Sequence, residues 1–477
     1  MSNEGPNRRG PAWHSDCVPN GGNGSTMVPV AEDGSMQAVG AAGLGADTRA
    51  AEERSAQMWA IVCASVIGTT VEWYDFLIYG TAAALVFNKL FFPNFDPFVG
   101  TLAAFGSYAV GFVARPFGGA VFGHFGDRTG RKTMLTLTML IMGAGTFLIG
   151  CLPTYASIGV WAPILLIALR LLQGIGIGGE WGGAVLMVIE HAPAGRRGFY
   201  GSLVQVGFPL GVAASTGTFL YMSQAMAEVD FLAWGWRLPF LLSAVLIGVG
   251  LFIRLRLQET PAFAQVQRDG VARAPLLDVL LRQPRTFLIA VGMKVSEVAW
   301  VYVLTVFSIV YATTKLGLPR TLVLNGILLA ALAELVTIPL FGALSDRVGR
   351  KPLYVAGSVL SAALAFPVFW LLETRDPTIV VLTLVVVMSL THGLMFGPQA
   401  AYMPELFGTR TRYSGASLGC QVSAALSGGF APIIAAGLLA WAGATWPISL
   451  YLIALAAITL AAVLSSRDTA DLDITRG

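Results

Sequence analysis

The stretch FGHFGDRTGRKTML at residues 122–135 recurs, with changes, as FGALSDRVGRKPLY at residues 341–354. Phe-Gly, Asp-Arg and Gly-Arg-Lys return in register, 219 positions later. A second pair of motifs follows: IEHAPAGRRGFYGSL ends at Leu203 and PELFGTRTRYSGASL ends at Leu418, an offset of 215. Two copies of one unit in the same order predict a chain built from two similar halves.

Apolar segments of about 20 residues or more surround these motifs, and such segments can cross a hydrocarbon core about 30 Å thick. Of the 477 residues, 55% are hydrophobic and 12% are charged, whereas roughly a quarter are charged in a soluble domain. We predict an all-α membrane protein with twelve transmembrane helices in two six-helix halves. The predicted spans are 58–88, 98–123, 133–152, 157–191, 199–222, 237–256, 286–313, 320–344, 353–372, 378–404, 413–439 and 445–465.

The distribution of positive charge predicts the topology. Of the 30 Lys and Arg residues, 22 fall on one side of the predicted spans, five on the other and three inside them. The positive-inside rule then places both termini in the cytoplasm. The predicted segments are a disordered cytoplasmic N-terminal tail without a signal peptide (1–55), the N-terminal half (56–256), a cytoplasmic linker (257–285), the C-terminal half (286–465) and a short cytoplasmic C-tail (466–477).

Cysteine and histidine patterns argue against several classes of protein. The four cysteines and four histidines are scattered, with no CxxC or HExxH motif and no Ser/His/Asp pattern. The formal net charge of +3 comes from positively charged loops. We therefore expect no enzyme, no metal site and no nucleic-acid partner.

The stretch VEWYDFLIYG in the first span places two carboxylates among apolar residues. A central Asp in a spanning helix costs about 2.5 to 3.5 kcal/mol on insertion scales. Glu72, Asp75 and Tyr79 are three and four positions apart, so they share one helix face. We expect this face to line a cavity between the halves, with Arg115 and Arg170 as the neighbours available for pairing.

The stretch KVSEVAWVY in the seventh span carries Lys294, with Glu297 and Trp300 following at intervals of three on the same face. Lys294 and Arg115 are candidates to hold substrate carboxylates, and Glu297 could tune the lysine. Trp300 or Tyr302 could stack on the substrate. The alternative is an internal Lys294–Glu297 pair that offsets its own burial cost.

The repeated loops predict a latch that closes the cytoplasmic side. An Asp is favourable at a helix N-terminus and an Arg can pair with it. We expect Glu190 to pair with Arg196 or Arg197; Glu405 would pair likewise with Arg410 or Arg412. The alternatives are loops that only supply positive charge, and acidic residues that are merely solvated. The predicted gate residues are Gly123, Asp127, Arg128, Arg131, Glu190, Arg197, Asp346, Arg347, Arg350, Glu405 and Arg412.

The fourth span contains GIGIGGEWGG, in which Gly174, Gly178 and Gly182 are four apart. This spacing favours close helix packing, and a phosphate-binding loop does not fit a run inside a membrane span. Glu180 fits a cavity residue or a buried pair partner equally. Further polar candidates, either for substrate contacts or for hydrogen bonds between helices, are Gln173, Gln205, Asn325, Glu334, His392 and Gln399.

The DRxGRK loops, the RLLQG run from Arg170 and the doubled layout resemble the major facilitator superfamily. EWYDF, LQGIGIGGEWGGA, WGWRLPFLLS and PELFGTRTRYSGASLG resemble more narrowly its metabolite:proton symporter family, over nearly everything from Val62 to about Gly443. The related sugar porters place an aspartate of the first helix against an arginine of the fourth at their proton-coupling site. This resemblance implies that Asp75 carries the proton and pairs with Arg170 when ionised; a permanent structural ion pair is the alternative.

The resemblance also implies a secondary active transporter that imports a small polar metabolite with a proton by alternating access, with no cofactor besides this coupling ion. Three cations favour an organic acid, such as a dicarboxylate, a keto acid or a shikimate-like acid. The acidic residues keep a proline or betaine importer open, although osmosensing members add a long C-terminal heptad helix. A uniporter, an exporter and a receptor of the same fold are further alternatives. The expected substrate-binding residues are Glu72, Tyr79, Arg115, Gln173, Glu180, Lys294, Glu297 and Trp300.

The expected partners follow from the same resemblance. They are a small-molecule substrate and the lipid bilayer. The expected form is a monomer that crosses the cell inner membrane many times.

Overall fold

The computed structural model describes residues 35–129, 131–178, 181–193, 195–256, 275–408 and 411–470. Within these ranges, side chains are described except at 35–57, 120, 123–129, 131–135, 181, 253–256 and 275–277. The chain divides into two compact units, Met1–Ser55 and Ala56–Gly477. The fold and the site described below belong to the second unit.

The described residues form helices and no strand. Among them, nine helices are long and apolar enough to span a membrane, two more become so when paired across a bend, and one apolar helix is shorter. In the first half these are α1 (Met58–Leu90), α2 (Pro97–Gly119), α3 (Thr136–Cys151), α4 (Trp161–His191), α5 (Arg197–Ala225) and α6 (Glu228–Gly235 with Arg237–Phe252). In the second half they are α7 (Pro284–Lys315), α8 (Arg320–Val348), α9 (Arg350–Leu364 with Pro367–Glu373), α10 (Pro377–Glu405), α11 (Arg412–Ala442) and α12 (Trp446–Ser465). They follow the predicted spans in order, so the all-α membrane fold in two halves is confirmed.

Helical backbone extends beyond several of these apolar segments. The helices run Ser35–Ala82, Pro97–Thr129, Arg131–Cys151 and Arg237–Arg256, and short helices occupy Tyr155–Ile158 and Pro275–Arg282. Two of these differ from the sequence prediction. A helix begins at Ser35 inside the tail predicted to be disordered, where AAEER supplies strong helix formers. A short helix also lies inside the predicted linker.

Short π segments interrupt the described helices. They are Ala83–Phe87, Phe231–Gly235, Val303–Phe307, Tyr311–Lys315, Met388–His392 and Ala424–Gly428. A π segment adds one residue to a turn and is frequent at functional sites. Three of the segments contain or adjoin residues of the central cavity described below, namely Tyr302, His392 and Ala424.

Close packing of α2 against α4 depends on glycine. A Cβ at Gly174 would overlap the backbone oxygen of Gly111, and a Cβ at Gly178 would overlap that of Arg115. Gly182 packs instead on a serine of α11 in the other half. The predicted role of these three glycines in close helix packing is confirmed.

We expect Gly174→Ala to lower the thermal stability of the detergent-solubilised protein, because the new methyl group meets backbone that cannot turn away. Overpacking of this kind costs about 1–3 kcal/mol. The control is Gly106→Ala on α2, where no atom lies within 4 Å of the added Cβ. Thermal unfolding followed by tryptophan fluorescence measures both variants, and equal melting temperatures would contradict the packing argument.

Candidate functional site

A central cavity lies between the two halves and carries charge from both. Glu72 of α1 and Arg115 of α2 line it from the first half, and Lys294 and Glu297 of α7 and His392 of α10 line it from the second. Its aromatic and amide lining consists of Trp73, Phe208, Tyr302, Phe396 and Gln421. A pocket with rings and a few convergent charges is typical of a small-molecule site.

Four of the predicted substrate-binding residues therefore meet at one cavity: Glu72, Arg115, Lys294 and Glu297. Other predicted members do not line it. Tyr79 and Gln173 are buried behind the wall in hydrogen bonds to other side chains, and Trp300 is fully buried. Of the two aromatic candidates in α7, Tyr302 lines the cavity. Glu180 lies outside the described residues.

Arg115 is surrounded by aromatic rings. Its Cζ lies 3.9 Å from the centroid of the Phe76 ring and 4.7 Å from that of Phe112. Its Nε is buried and has no hydrogen-bond partner among the described residues. Ring faces attract a guanidinium without neutralising its charge, so Arg115 remains a cation that can take an anion.

Arg170 lies behind the cavity and also rests on rings. Its Cζ is 4.0 Å from the centroid of Phe76, 4.3 Å from that of Tyr79 and 4.8 Å from that of Tyr108. One phenyl ring, that of Phe76, thus contacts both buried guanidiniums of the first half. The rings partly offset the cost of burying the Arg170 charge.

Asp75 is fully buried, and neither carboxyl oxygen has a hydrogen-bond partner among the described residues. The structure shows no ion pair between Asp75 and Arg170. The sequence-based hypothesis is that Asp75 pairs with Arg170 only when it is ionised. Under that hypothesis, the absence of this pair corresponds to the protonated form of Asp75. An ionised carboxylate in such a place would be costly, so the geometry fits a neutral carboxylic acid.

A chain of polar side chains runs from Arg170 toward Asp75 without bonding to it. Arg170 Nη1 donates to Gln173 Oε1 over 3.1 Å, and Gln173 Nε2 donates to Thr146 Oγ1 over 2.6 Å. The Thr146 side chain lies near the Asp75 carboxyl, but its hydroxyl donates its hydrogen to the backbone oxygen of Met142 instead. Gln173, which was predicted to bind substrate, instead links the arginine to the neighbourhood of Asp75.

Lys294 lies at the centre of a hydrogen-bonded network in the second half. Its Nζ is 3.1 Å from Glu297 Oε2 and donates to Gln399 Oε1 over 2.6 Å. Gln399 Nε2 in turn donates to Glu297 Oε2 and to the Tyr354 hydroxyl. The alternative of an internal Lys294–Glu297 pair is therefore present in the structure, at the cavity wall.

Several cavity residues were not predicted from the sequence. Trp73, Phe208, Phe396 and Gln421 had no distinguishing pattern in apolar spans, although an amide inside a span is itself a signal. His392 was expected only as a hydrogen-bonding or contact residue. It lies between Glu297 and Glu334, with both ring nitrogens at carboxylate oxygens.

Asp346 joins the two halves at the end of the bundle that the sequence predicts to be cytoplasmic. Its two carboxylate oxygens accept hydrogen bonds from the backbone N–H groups of Gly198 and Phe199, each over 2.8 Å. These groups form the first turn of α5 in the other half, where a negative charge is favoured. Arg350 Nη1 donates to the same carboxylate over 2.6 Å. The predicted contact between a carboxylate and a helix N-terminus is present here, and its role as a latch stays a prediction.

Glu405 has a basic partner that the sequence did not predict. Its Oε2 lies 3.5 Å from Nε of Arg350, so the acidic residue joins the Asp346–Arg350 pair. The side chain of Arg412 is buried, with Glu190 and Glu405 as its acidic neighbours. The aligned arginine, Arg410, lies outside the described residues.

The remaining predicted gate residues divide into two groups. Glu190 and Arg347 are exposed, and Arg197 is buried. The side chains at Gly123, Asp127, Arg128 and Arg131 lie outside the described side chains. The latch is thus described for the second repeat copy.

The C-terminal tail packs against this latch. The Asp468 carboxylate accepts hydrogen bonds from the backbone N–H groups of Arg350 and Lys351, and the buried Thr469 hydroxyl donates to Glu405. Tyr402 contacts the Ser466 hydroxyl over 2.6 Å. The segment predicted as a short tail therefore begins as part of the packed structure, and residues 471–477 lie outside the described chain.

We expect Asp346→Asn to weaken closure of the latch, because the amide keeps one acceptor but loses the charge that binds Arg350 and the α5 N-terminus. Charge-assisted hydrogen bonds are roughly twice as strong as neutral ones. Labelling of a cysteine introduced at Ser202, beneath the latch, reports opening and should become several-fold faster. The control is Arg285→Gln, whose side chain is exposed and which is not among the predicted gate residues; equal labelling in both variants would contradict a latch role for Asp346.

Comparison with known proteins extends this description. The sequence model described as Major Facilitator Superfamily matches residues 65–428. The shikimate transporter of Escherichia coli K12 is 44% identical over 409 residues, which cover 85% of this chain and 93% of the relative. The proline/betaine transporter of the same organism is 33% identical, covering 86% of this chain and 83% of the relative.

The fold also matches a solved structure. The proton:xylose symporter XylE bound to 6-bromo-6-deoxy-D-glucose superposes with a TM-score of 0.67 at 16% identity, covering 87% of this chain and 97% of the other. At this identity the likeness concerns the fold alone. The matching sequence model, the relatives and the fold agree that the chain is a multi-pass membrane transporter and not an enzyme. The chain belongs to the major facilitator superfamily.

Proposed function

We propose that this transporter is a proton-coupled symporter that imports a small organic acid across the inner membrane by alternating access. The observation that carries the proposal is the central cavity, where Arg115 and Lys294 approach from opposite halves. An anion bound between them would contact both halves at once. A site shared in this way is what rocking of the halves around a fixed substrate requires.

The cavity chemistry supports an acid with a flat or ring-shaped body. Two cations can bind one or two carboxylates, and the rings of Trp73 and Tyr302 offer faces for the remainder of the molecule. The 44% identical relative is a shikimate transporter, which supports a hydroxylated ring acid as the first candidate. Dicarboxylates and keto acids fit the same pair of charges.

Asp75 is the proposed carrier of the coupling proton. In its neutral form it is compatible with burial among apolar helices, and in its ionised form it would draw the Arg170 guanidinium from the ring faces that hold it. The Gln173–Thr146 chain between the two residues would rearrange with that movement. No cofactor besides the proton enters this scheme, and a single chain as the transporting unit is part of the proposal.

The latch supports a state closed at the end predicted to be cytoplasmic. Asp346 binds the first turn of α5 across the two halves, so these contacts must break before substrate can leave on that side. Return of the empty protein would form them again.

Uptake into proteoliposomes tests the substrate class. A labelled panel of shikimate, keto acids, dicarboxylates, proline and betaine is offered with and without an inward proton gradient. We expect gradient-dependent accumulation of an acid, and we expect Lys294→Gln to raise its KM about tenfold, which corresponds to about 1.4 kcal/mol of lost binding. The matched control is Lys315→Gln at the exposed end of the same helix.

The outcomes of this assay separate the alternatives. Accumulation of betaine or proline alone would overturn the organic acid as the substrate class. Uptake of an acid that is unchanged by an uncoupler would overturn proton coupling and favour a uniporter.

Asp75→Asn tests the proton carrier. The amide cannot release a proton, so we expect accumulation against a gradient to be lost while exchange of internal for external substrate continues. Counterflow in the same proteoliposomes measures exchange. Asp230→Asn, at an exposed position, should keep both activities; proton-driven accumulation by Asp75→Asn at the rate of the unmodified protein would refute the carrier role.

A further inference from the structure

His392 lies between two carboxylates at the wall of the central cavity. Its Nδ1 is 2.6 Å from Oε1 of Glu334 on α8, and its Nε2 is 3.0 Å from Oε1 of Glu297 on α7. The three side chains are at most 3% exposed. We refer to Glu297, His392 and Glu334 as the Glu–His–Glu triad.

These two short contacts determine how many hydrogens the triad holds. A neutral imidazole has one N–H, so its other nitrogen would turn a lone pair toward a carboxylate oxygen. At these distances two lone pairs repel, whereas a hydrogen between the atoms is favourable. The triad therefore holds two hydrogens, as an imidazolium between two carboxylates or as a neutral imidazole beside one carboxylic acid.

The charge of the surrounding cluster agrees with this count. In either form the triad has a net charge of −1, which the single positive charge of Lys294 balances at 3.1 Å from Glu297. Loss of the additional hydrogen would leave an uncompensated negative charge among buried residues, which is costly. The cluster is electroneutral only with this proton bound.

The triad extends from the cavity wall into the packed protein behind it. Glu297 and His392 line the cavity, whereas Glu334 is fully buried and its Oε2 has no hydrogen-bond partner among the described residues. Phe208 and Phe396 pack on the imidazole with ring centroids 5.0 and 4.4 Å away. The other titratable groups around the cluster are Lys294 and Tyr302 of α7, Tyr354 of α9, Cys420 of α11 and, across the cavity, Glu72 of α1 and Arg115 of α2.

We propose that the Glu–His–Glu triad is a second proton-binding site, occupied together with the organic anion in the cavity. This proposal rests on the proposed function for the anion and is independent of the role of Asp75. A substrate carboxylate near Lys294 adds negative charge beside the triad and strengthens its hold on the proton. When the cavity empties and fills with water, the proton leaves to a water molecule, and a neutral imidazole and two carboxylates remain.

Nitrogen-15 NMR of histidine-labelled protein in detergent tests the site without any transport. The chain has four histidines, so the spectrum of His392→Gln identifies the His392 signals. We expect these signals to change in one step as the pH rises from about 5 to about 11, a scan that extends beyond the range in which histidine commonly titrates because loss of the proton leaves the cluster charged. Saturating shikimate should raise the proton affinity about 5- to 150-fold, the usual size of coupling between two sites.

Glu334→Gln isolates the extra proton. The glutamine amide can donate to Nδ1, so the imidazole keeps its single N–H toward Glu297 and no additional proton is needed. We expect the His392 signals of this variant to be insensitive to pH, while the control Glu228→Gln, at the exposed start of α6 beside Lys89, titrates as the unmodified protein does.

Two results would overturn the proposal: His392 signals that are constant over the pH range in the unmodified protein, or a titration that is identical in Glu334→Gln. Should that variant not fold, the unmodified protein decides the matter by its substrate-free titration. Because this titration requires no substrate, failure of the uptake assay would remove the proposed symport without changing the result. A titration that shikimate does not shift, despite a change in tryptophan fluorescence that Trp73→Phe abolishes, would remove the coupling.

Discussion

Burial of charge among apolar helices is the constraint on which the rest of this structure depends. A charged group inside the membrane must find its partner within the protein, and the two halves solve this differently. In the first half, Arg115 and Arg170 rest on ring faces. In the second half, Lys294 lies beside a carboxylate. The halves share their loop motifs, yet their cavity walls use different interactions.

The latch illustrates how a repeated motif acquires a conformational role. Asp346 binds backbone N–H groups of α5, which belong to the opposite half. Such a bond exists only while the two halves are close, and it requires no particular side chain on the partner helix. The C-terminal tail adds a second layer, since Asp468 and Thr469 bind at Arg350 and Glu405.

The sequence predicted the elements that repeat and the residues whose spacing is local. The repeated motifs predicted the two halves, and helical periodicity predicted that Glu72 and Lys294 face a cavity between them. Contacts between helices that are distant in sequence could not be predicted, because the spacing of residues within one helix does not show which residues of another helix lie opposite them. The His392 contacts to two other helices are of this kind. The same holds for the finding that Tyr302, and not Trp300, lines the cavity, because this depends on how α7 turns before its π segment.

The position of Phe76 matters because its ring contacts two buried guanidiniums that lie in different parts of the first half. One phenyl ring contacts Arg115, which lines the cavity, and Arg170, which lies beside the Asp75 region. A phenyl ring has no hydrogen-bond donor or acceptor atom, so the ring itself offers no hydrogen-bonded path between the two guanidiniums. A displacement could still be transmitted, because a guanidinium that moved away from the ring would change how the ring packs on the other guanidinium. The Phe76 ring is thus a contact that the arginine of the cavity wall and the arginine behind it share.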